Sequence, residues 1–326
     1  MMGRTDRHCR YFLRGFSPRV LLYTEMITAP AIVRGDRERL LAFDPEEHPV
    51  ALQLGGSDPT QLAAAARAGE DTGYDEINLN CGCPSDRVAS GAFGACLMRE
   101  PGRIGECVAA MRAAVRLPVT VKMRIGVLQG RGAREIEASA RFDEEDRAAL
   151  HRFVIAVRDG GCDAVIIHAR KAVLGGLSPR DNREVPPLRY DVVREVARDY
   201  PGLPVILNGG LRDSRAVLDA LQWCGGVMLG REAYHRPFLL AELHSAVFPE
   251  APPPDSARTA LLSRMARYAE RQLARGDRLP AITRHMLGLC AGEPGAREYR
   301  RLLSEGARLS GAGAALIDRA ASLLRS

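Results

Sequence analysis

Seven short apolar runs, separated by stretches with helical spacing, leave few folds open to this chain. The runs are Val20 to Tyr23, Val50 to Leu54, Ile77 to Asn80, Val119 to Met123, Ala164 to His168, Val205 to Asn208 and Val227 to Gly230. Helical patterns fall between them at Pro59 to Ala68, Ile104 to Val115, Glu145 to Arg158, Tyr190 to Arg198 and Ser214 to Leu221. Apolar strands joined through amphipathic helices make parallel βαβ units, because a parallel partner can only be reached by a long crossover. Repeated units of this kind build the α/β barrel of (β/α)8 type, the TIM barrel, which needs one strand more than the seven counted here.

The runs also end alike. Gln53, Asn80, Lys122, His168, Asn208 and the pair Gly230-Arg231 break the apolar character at one end of six of them. Active sites of such barrels form at the C-terminal ends of the strands. A purely structural role would require a separate buried hydrogen-bond partner for each of these groups, although His168 alone also fits a satisfied core histidine. Loops after the last two strands of a barrel commonly bind phosphate, through glycine amides and a neighbouring cation. Asn208-Gly209-Gly210 and Gly230-Arg231 have that character.

Near Pro249-Glu250-Ala251-Pro252-Pro253-Pro254 the alternation stops, and three consecutive prolines suit a stiff linker. Beyond it Leu261, Leu262, Met265, Tyr268 and Leu273 recur at helical spacing only. The expected organisation is a barrel over 1–244, a linker over 245–255 and a small all-α domain over 256–326. The stretch from Gly126 to Glu145 is charged, contains glycine and reads as a surface loop. Of the net charge of +6, the segment from Ser256 to Ser326 carries thirteen arginines against six acids, which leaves −1 for everything before it. So local an excess points to a polyanionic partner engaged by the tail, or to a solvated helical surface. Only Lys122 and Lys171 among 46 basic residues are lysines. A compact ammonium that can shift its pKa is not interchangeable with a guanidinium.

No apolar run reaches the roughly 18 residues of a membrane span. The N-terminus, with Arg4, Asp6, Arg7 and Arg10, lacks the apolar core of a secretory signal. Of eight cysteines only Cys81 and Cys83 lie close together, so neither a disulfide framework nor a metal site is expected. The expected compartment is the reducing cytoplasm.

The most specific stretch is Glu76-Ile77-Asn78-Leu79-Asn80-Cys81-Gly82-Cys83-Pro84-Ser85, continuing to Gly91-Ala92-Phe93-Gly94-Ala95-Cys96-Leu97-Met98. Ile77 and Leu79 alternate with Asn78 and Asn80 as in a buried strand, which Pro84 then ends because it cannot donate to a ladder. Cys83, at the tip, fits a half-buried structural cysteine or an acid or nucleophile. Asn80 to Ser85 with Gly91 to Leu97 closely resembles the tRNA-dihydrouridine synthases, FMN-dependent reductases of tRNA uridines. The same resemblance extends to Thr5-Asp6-Arg7-His8-Cys9-Arg10, Tyr23-Thr24-Glu25-Met26, Gln53-Leu54-Gly55-Gly56-Ser57, His168-Ala169-Arg170-Lys171, Asn208-Gly209-Gly210 and Gly230-Arg231. It covers nearly the whole chain and is closest to the subgroup acting on positions 20 and 20a.

The resemblance implies a set of roles. Asn208, Gly209, Gly210, Gly230 and Arg231 would hold the FMN phosphate. Gln53 and Lys122 would face the isoalloxazine ring, with His168 as a further contact. In the family an Ala-Pro-Met strand end precedes the segment like Thr5 to His8, so Met1 would match that methionine. The expectation is a sequence that starts after most of the first strand, with Met1 and Met2 left to give backbone contacts to the flavin. Cys83 would act as general acid. NADPH reduces FMN, hydride passes to C6 of the uracil and Cys83 protonates C5. Asn80 would contact the flipped uridine, and Arg180, Arg183, Arg297 and Arg300 the tRNA, with Arg284, His285 and Arg301 adding to a phosphate-gripping surface. The protein is expected to act as a monomer. A small-molecule flavin reductase of the dihydroorotate-dehydrogenase type and a non-catalytic tRNA-binding protein are the alternatives. The basic tail argues against the first, and bound flavin would argue against the second.

Overall fold

The computed structural model describes residues 1–85, 93–130, 133–248 and 257–324, with the side chains of 133, 134 and 257 also left aside. Gly91 and Ala92 of the cysteine-containing stretch, and the proline-rich linker from Pro249 onward, fall outside the described residues. The strands are β1 (Leu22–Tyr23), β2 (Ile27–Thr28), β3 (Val50–Gly55), β4 (Glu76–Asn80), β5 (Val119–Arg124), β6 (Val127–Gln129), β7 (Ala164–His168), β8 (Ala172–Leu174), β9 (Val205–Asn208) and β10 (Gly226–Met228). The main sheet runs β1-β3-β4-β5-β7-β9-β10, with β2 continuing beside β3, and its pairs are parallel. All seven expected runs are in it. The fold is a parallel barrel sheet of the (β/α)8 kind without its first strand among the described residues, followed by a C-terminal helical domain.

Alternation within each strand divides the two sides of the sheet. Leu52, Leu54, Ile77, Leu79, Val119, Val121, Met123, Val165, Ile167, Val205 and Leu207 join the core beneath the outer helices. Each such side chain contributes about 1.5–3 kcal/mol when fully buried. The helices begin and end where local chemistry dictates. In Pro59–Thr72, Asp58 accepts a hydrogen bond from the Gln61 amide, Pro59 opens the first turn, and Gly73 closes the helix at φ +99°. Asp143 and Asp146 form a reciprocal capping box at the start of Glu144–Asp159.

The stretch from Gly126 to Glu145 is not merely a loop. β6 pairs in parallel with β8, and a helix follows at Ala133–Ala140. Three residues are too few to show a period, and the partner strand lies more than forty positions along the chain, so the ladder left no local trace.

A second apolar core joins the two ends of the chain. Helix Arg7–Arg14 contributes Cys9, Tyr11, Phe12 and Leu13. They pack with Leu262, Met265, Tyr268, Ile282, Met286, Tyr299, Leu303 and Ile317 of the C-terminal helices. Tyr11 stacks on Tyr268 with ring centroids 3.9 Å apart. Polar contacts frame this junction. Arg7 binds Asp277 through two hydrogen bonds, His8 Nδ1 lies 2.8 Å from the Tyr268 hydroxyl, and Asp6 meets Arg284 and His285. His285 is therefore buried inside the junction and is not part of an open phosphate-gripping surface, whereas Arg284 stays exposed while pairing with Asp6.

Burial alone would raise the Asp6 pKa, but hydrogen bonds and charge from His285, helped by the Cys9 amide and Arg284, hold it far below the usual carboxylate range. A depressed carboxylate stabilises the fold fully above its unfolded pKa and loses that contribution as pH falls. Asp6→Asn is therefore expected to cost about 2 kcal/mol at neutral pH. In thermal melts taken across pH, the gap between the two proteins should close progressively below about pH 4. A gap that stays constant into acid would show that the charge of Asp6 contributes nothing.

Candidate active site at the carboxyl ends of the strands

Sheet register gathers the polar strand ends. Asn80 lies opposite Lys122, Arg124 opposite His168, and His168 opposite Asn208, which in turn faces Met228. Asn80 Oδ1 accepts from the Gly82 and Cys83 amides at 3.1 and 3.0 Å, and its Nδ2 donates to Gln53 Oε1 at 2.9 Å. The Cys83 carbonyl accepts from the Ala95 amide at 2.9 Å. The residue is thus held by its backbone, while its thiol is half-buried and free. Cys9, Cys81, Cys107, Cys162 and Cys290 are buried thiols pushed upward by desolvation, Cys107 to about 11 and Cys162 to about 12.

Lys122 stands beside Cys83. Burial lowers its pKa to about 8, Arg124 acts in the same direction, and Cys83 opposes both. Arg124 is a site residue that the sequence reading missed, because the strand was expected to end at Met123. Its place two residues after Lys122 puts it on the same inward face. It is buried and donates to three carbonyls: Gly82 through Nε at 3.0 Å, and Lys171 and Asn182 through Nη1 at 3.0 and 2.9 Å. It thereby ties the Cys83 turn to the loop that follows β7. Burial brings its pKa down to about 9. Lys171, the other lysine, is buried in an ion pair with Asp146 and serves that packing.

Around His168 the field is strongly positive. Its pKa falls well below the ordinary value, first through burial, then through Arg124, Lys122, Arg170 and Arg231. His168 Nδ1, Arg170 Nε and Arg183 Nε are buried without a hydrogen-bond partner among the described residues. Gly209 and Gly210 have φ of +104° and +75°, where side chains are strained. A Cβ on Gly209 would lie 2.7 Å from His168 Cδ2, and one on Gly210 would strike Leu188 and the Tyr190 hydroxyl. Asn208 Nδ2 is anchored on the Met228 carbonyl at 2.7 Å. Gly230 lies at the same end, 3.6 Å from the Met1 sulfur measured from its missing Cβ. The Met1 amino group donates to Thr5 Oγ1 at 2.6 Å, and burial lowers its pKa to about 6. Met2 is exposed.

The loop after β8 closes one side. Asn182 is fully buried and bonded at both ends to the Val173 backbone, which sets the loop in place. Arg183 lies within electrostatic reach of Cys83, whereas Arg180 extends into solvent near Glu184. Arg231 also reaches this loop, pairing with Glu184 at 2.6 Å. Arg297 and Arg300 are exposed on helix Ala296–Glu305, whose other side buries Tyr299 and Leu303. The barrel mouth thus joins the polar strand ends to Arg183, with Arg180 and Arg231 sharing Glu184 at its edge, while Arg297 and Arg300 lie on a helix of the C-terminal domain.

Lys122, Arg124, Arg170, Arg183 and Arg231 outnumber the acids near them, beside glycines that admit close backbone approach and nitrogens that lack acceptors. Such a mouth suits a barrel enzyme that takes a phosphorylated, acceptor-rich cofactor, with a half-buried thiol at the same end of the strands. Comparison with known proteins agrees. A family model described as "Dihydrouridine synthase (Dus)" matches residues 1–324. The tRNA-dihydrouridine(20/20a) synthase of Xanthomonas axonopodis pv. citri is 52% identical over 320 residues, covering 98% of this chain and 91% of that protein. The protein of the same name from Vibrio cholerae is 49% identical, covering 98% and 93%. The chain belongs to the dihydrouridine synthase family, in its dihydrouridine(20/20a) subgroup. As a member it is an FMN-dependent oxidoreductase, and the unpartnered nitrogens and the glycine cradle fit that cofactor. Among the described residues no cluster of three or more metal-ligating side chains occurs, and no helix is long and apolar enough to cross a membrane.

Proposed function

We propose that the protein reduces the C5–C6 double bond of uridines at positions 20 and 20a of the tRNA D-loop, with NADPH as the electron source. The half-buried Cys83 thiol, on a turn whose backbone Asn80 holds near Lys122 and Arg124, carries this reading. Bound FMN supplies hydride chemistry. Asn208, Gly209, Gly210, Gly230 and Arg231 would hold its phosphate. Gln53, Lys122 and His168 would line its ring, and Met1 and Met2 would add backbone contacts. Lys122, with a pKa lowered to about 8, regains its full charge when an anion sits beside it. Cys83 holds at Sγ the proton taken up by C5 of the uracil. A thiol is neutral near pH 7 yet gives up its proton readily.

The base must leave its stack to reach this mouth, where Asn80 has an N–H to offer a ring carbonyl. Arg183 and Arg180 would grip the backbone of the extruded nucleotide, and Arg297 and Arg300 phosphates further off. The +7 balance of the tail supports tRNA over a small substrate. In this reading the barrel spans 1–244, the linker 245–255 and the tRNA-binding domain 256–326, and the protein works as a cytoplasmic monomer. The test is nucleoside mass spectrometry with position mapping of tRNA from cells with and without the gene. Dihydrouridine at 20 and 20a should vanish on deletion and return with the wild-type gene. Unchanged dihydrouridine on deletion would reject the proposal.

A further inference from the structure

Every second residue of β4 faces the barrel interior, and the bonds of Glu76, Asn78 and Asn80 form one continuous chain. The Gly82 and Cys83 amides donate to Asn80 Oδ1, and Asn80 Nδ2 donates to Gln53 Oε1. Gln53 Nε2 then donates to Asn78 Oδ1 at 2.9 Å, and Asn78 Nδ2 to Thr120 Oγ1 at 2.8 Å. The Thr120 hydroxyl donates to Glu76 Oε1 at 2.6 Å, and the same oxygen accepts from the Tyr23 hydroxyl at 2.8 Å. All donors point away from the mouth, toward Glu76. Both ends enforce this direction, because a backbone N–H can only donate and the Glu76 oxygen accepts two hydroxyls. Reversing the amides would set donor against donor at Gly82 and Cys83, and would leave Thr120 unable to serve Glu76. In a buried chain such mismatches are costly.

The direction decides what the mouth offers. Both lone pairs of Asn80 Oδ1 are taken, so its one unspent group is an N–H. Gln53 retains one N–H and one lone pair. We propose that Glu76 is a positioning residue: as terminal acceptor of this chain it fixes, together with the Gly82 and Cys83 amides at the other end, the Asn80 and Gln53 amides so that Asn80 presents a donor to the carbonyl oxygens of a pyrimidine base. The inference deepens the function proposed above and rests on it for the identity of the base.

Glu76→Met keeps the length and removes the acceptor, whereas Glu76→Gln keeps a carbonyl oxygen in the same place. Thr120→Val cuts the chain while leaving Glu76 with Tyr23, and serves if the Met variant does not fold. The first readout is the side-chain amide signals of Asn80 and Gln53 in nitrogen–proton NMR spectra. The second is the anaerobic reoxidation by tRNA of enzyme pre-reduced with dithionite. The Gln variant should match wild type in its amide signals and stay within about twofold in rate. The Met and Val variants should lose the slowly exchanging amide signals and fall about tenfold or more in the rate at saturating tRNA, with half-saturation unchanged. Wild-type amide signals and rates in the Met and Val variants would overturn the inference, as would a Gln variant as impaired as Met. Should wild-type enzyme not be reoxidised by tRNA at all, the proposed function falls, and the amide signals alone decide the role of Glu76.

Discussion

Cys83→Ala is expected to fold normally, to retain its flavin, and to reduce tRNA uridines about 10²–10⁴-fold more slowly than wild type, the usual worth of a positioned general acid. The geometry makes the loss specific. The turn bearing Cys83 is held through backbone groups, by Asn80 Oδ1 on one side and the Ala95 amide on the other, and neither depends on the thiol. The side chain is half-buried, so its removal opens no deep cavity. Serine should not rescue, because an aliphatic hydroxyl is a far weaker acid than a thiol. The measurement is single-turnover reoxidation of pre-reduced enzyme by tRNA, with product confirmed by nucleoside mass spectrometry. A Cys83→Ala enzyme within a few-fold of wild type would mean that another group protonates the base.

Gly209→Ala should purify largely without flavin. At φ +104° any Cβ is strained, and here it would lie 2.7 and 2.8 Å from His168 Cδ2 and Nε2. Left-handed backbone costs a non-glycine residue about 1–2 kcal/mol. The contact with His168 adds to that, so a drop in FMN affinity of tenfold to a hundredfold, on the order of 1.4–2.8 kcal/mol, is expected. The ratio of flavin absorbance to protein in the purified enzyme, followed by FMN titration, reads this directly. Gly276→Ala is the matched control, since Gly276 also has positive φ, +91°, but nothing lies near its missing Cβ. Equal flavin loss in both variants would show general backbone strain in place of damage to the cradle.

What the sequence disclosed was whatever a local period can carry. Apolar runs with polar ends revealed the seven barrel strands and, through Gln53, Asn80, Lys122, His168 and Asn208, most of the mouth. The alternation Glu76-Ile77-Asn78-Leu79-Asn80 was visible, but that its polar members are bonded through Gln53 and Thr120 was not, because those partners come from neighbouring strands. Arg124 escaped notice since a charged residue at the end of an apolar run reads as the start of a loop. Its three carbonyl partners lie between 42 and 58 positions away. His285 read as a surface cation for the same reason: its acid, Asp6, is 279 residues distant.

The meeting of Tyr11 and Tyr268 also bears on how the molecule comes into being. His8 and Tyr268 are 260 positions apart, so helix Arg7–Arg14 leaves the ribosome long before the side chains that will cover it have been made. Domains otherwise tend to form in order of synthesis. Here Cys9, Tyr11 and Phe12, all fully buried in the finished protein, obtain part of their cover only from helices made at the far end of the chain. Contacts of such long range are slow to close and expose the nascent chain to association with others. The tail that brings the positive charge therefore also completes the cover over helix Arg7–Arg14.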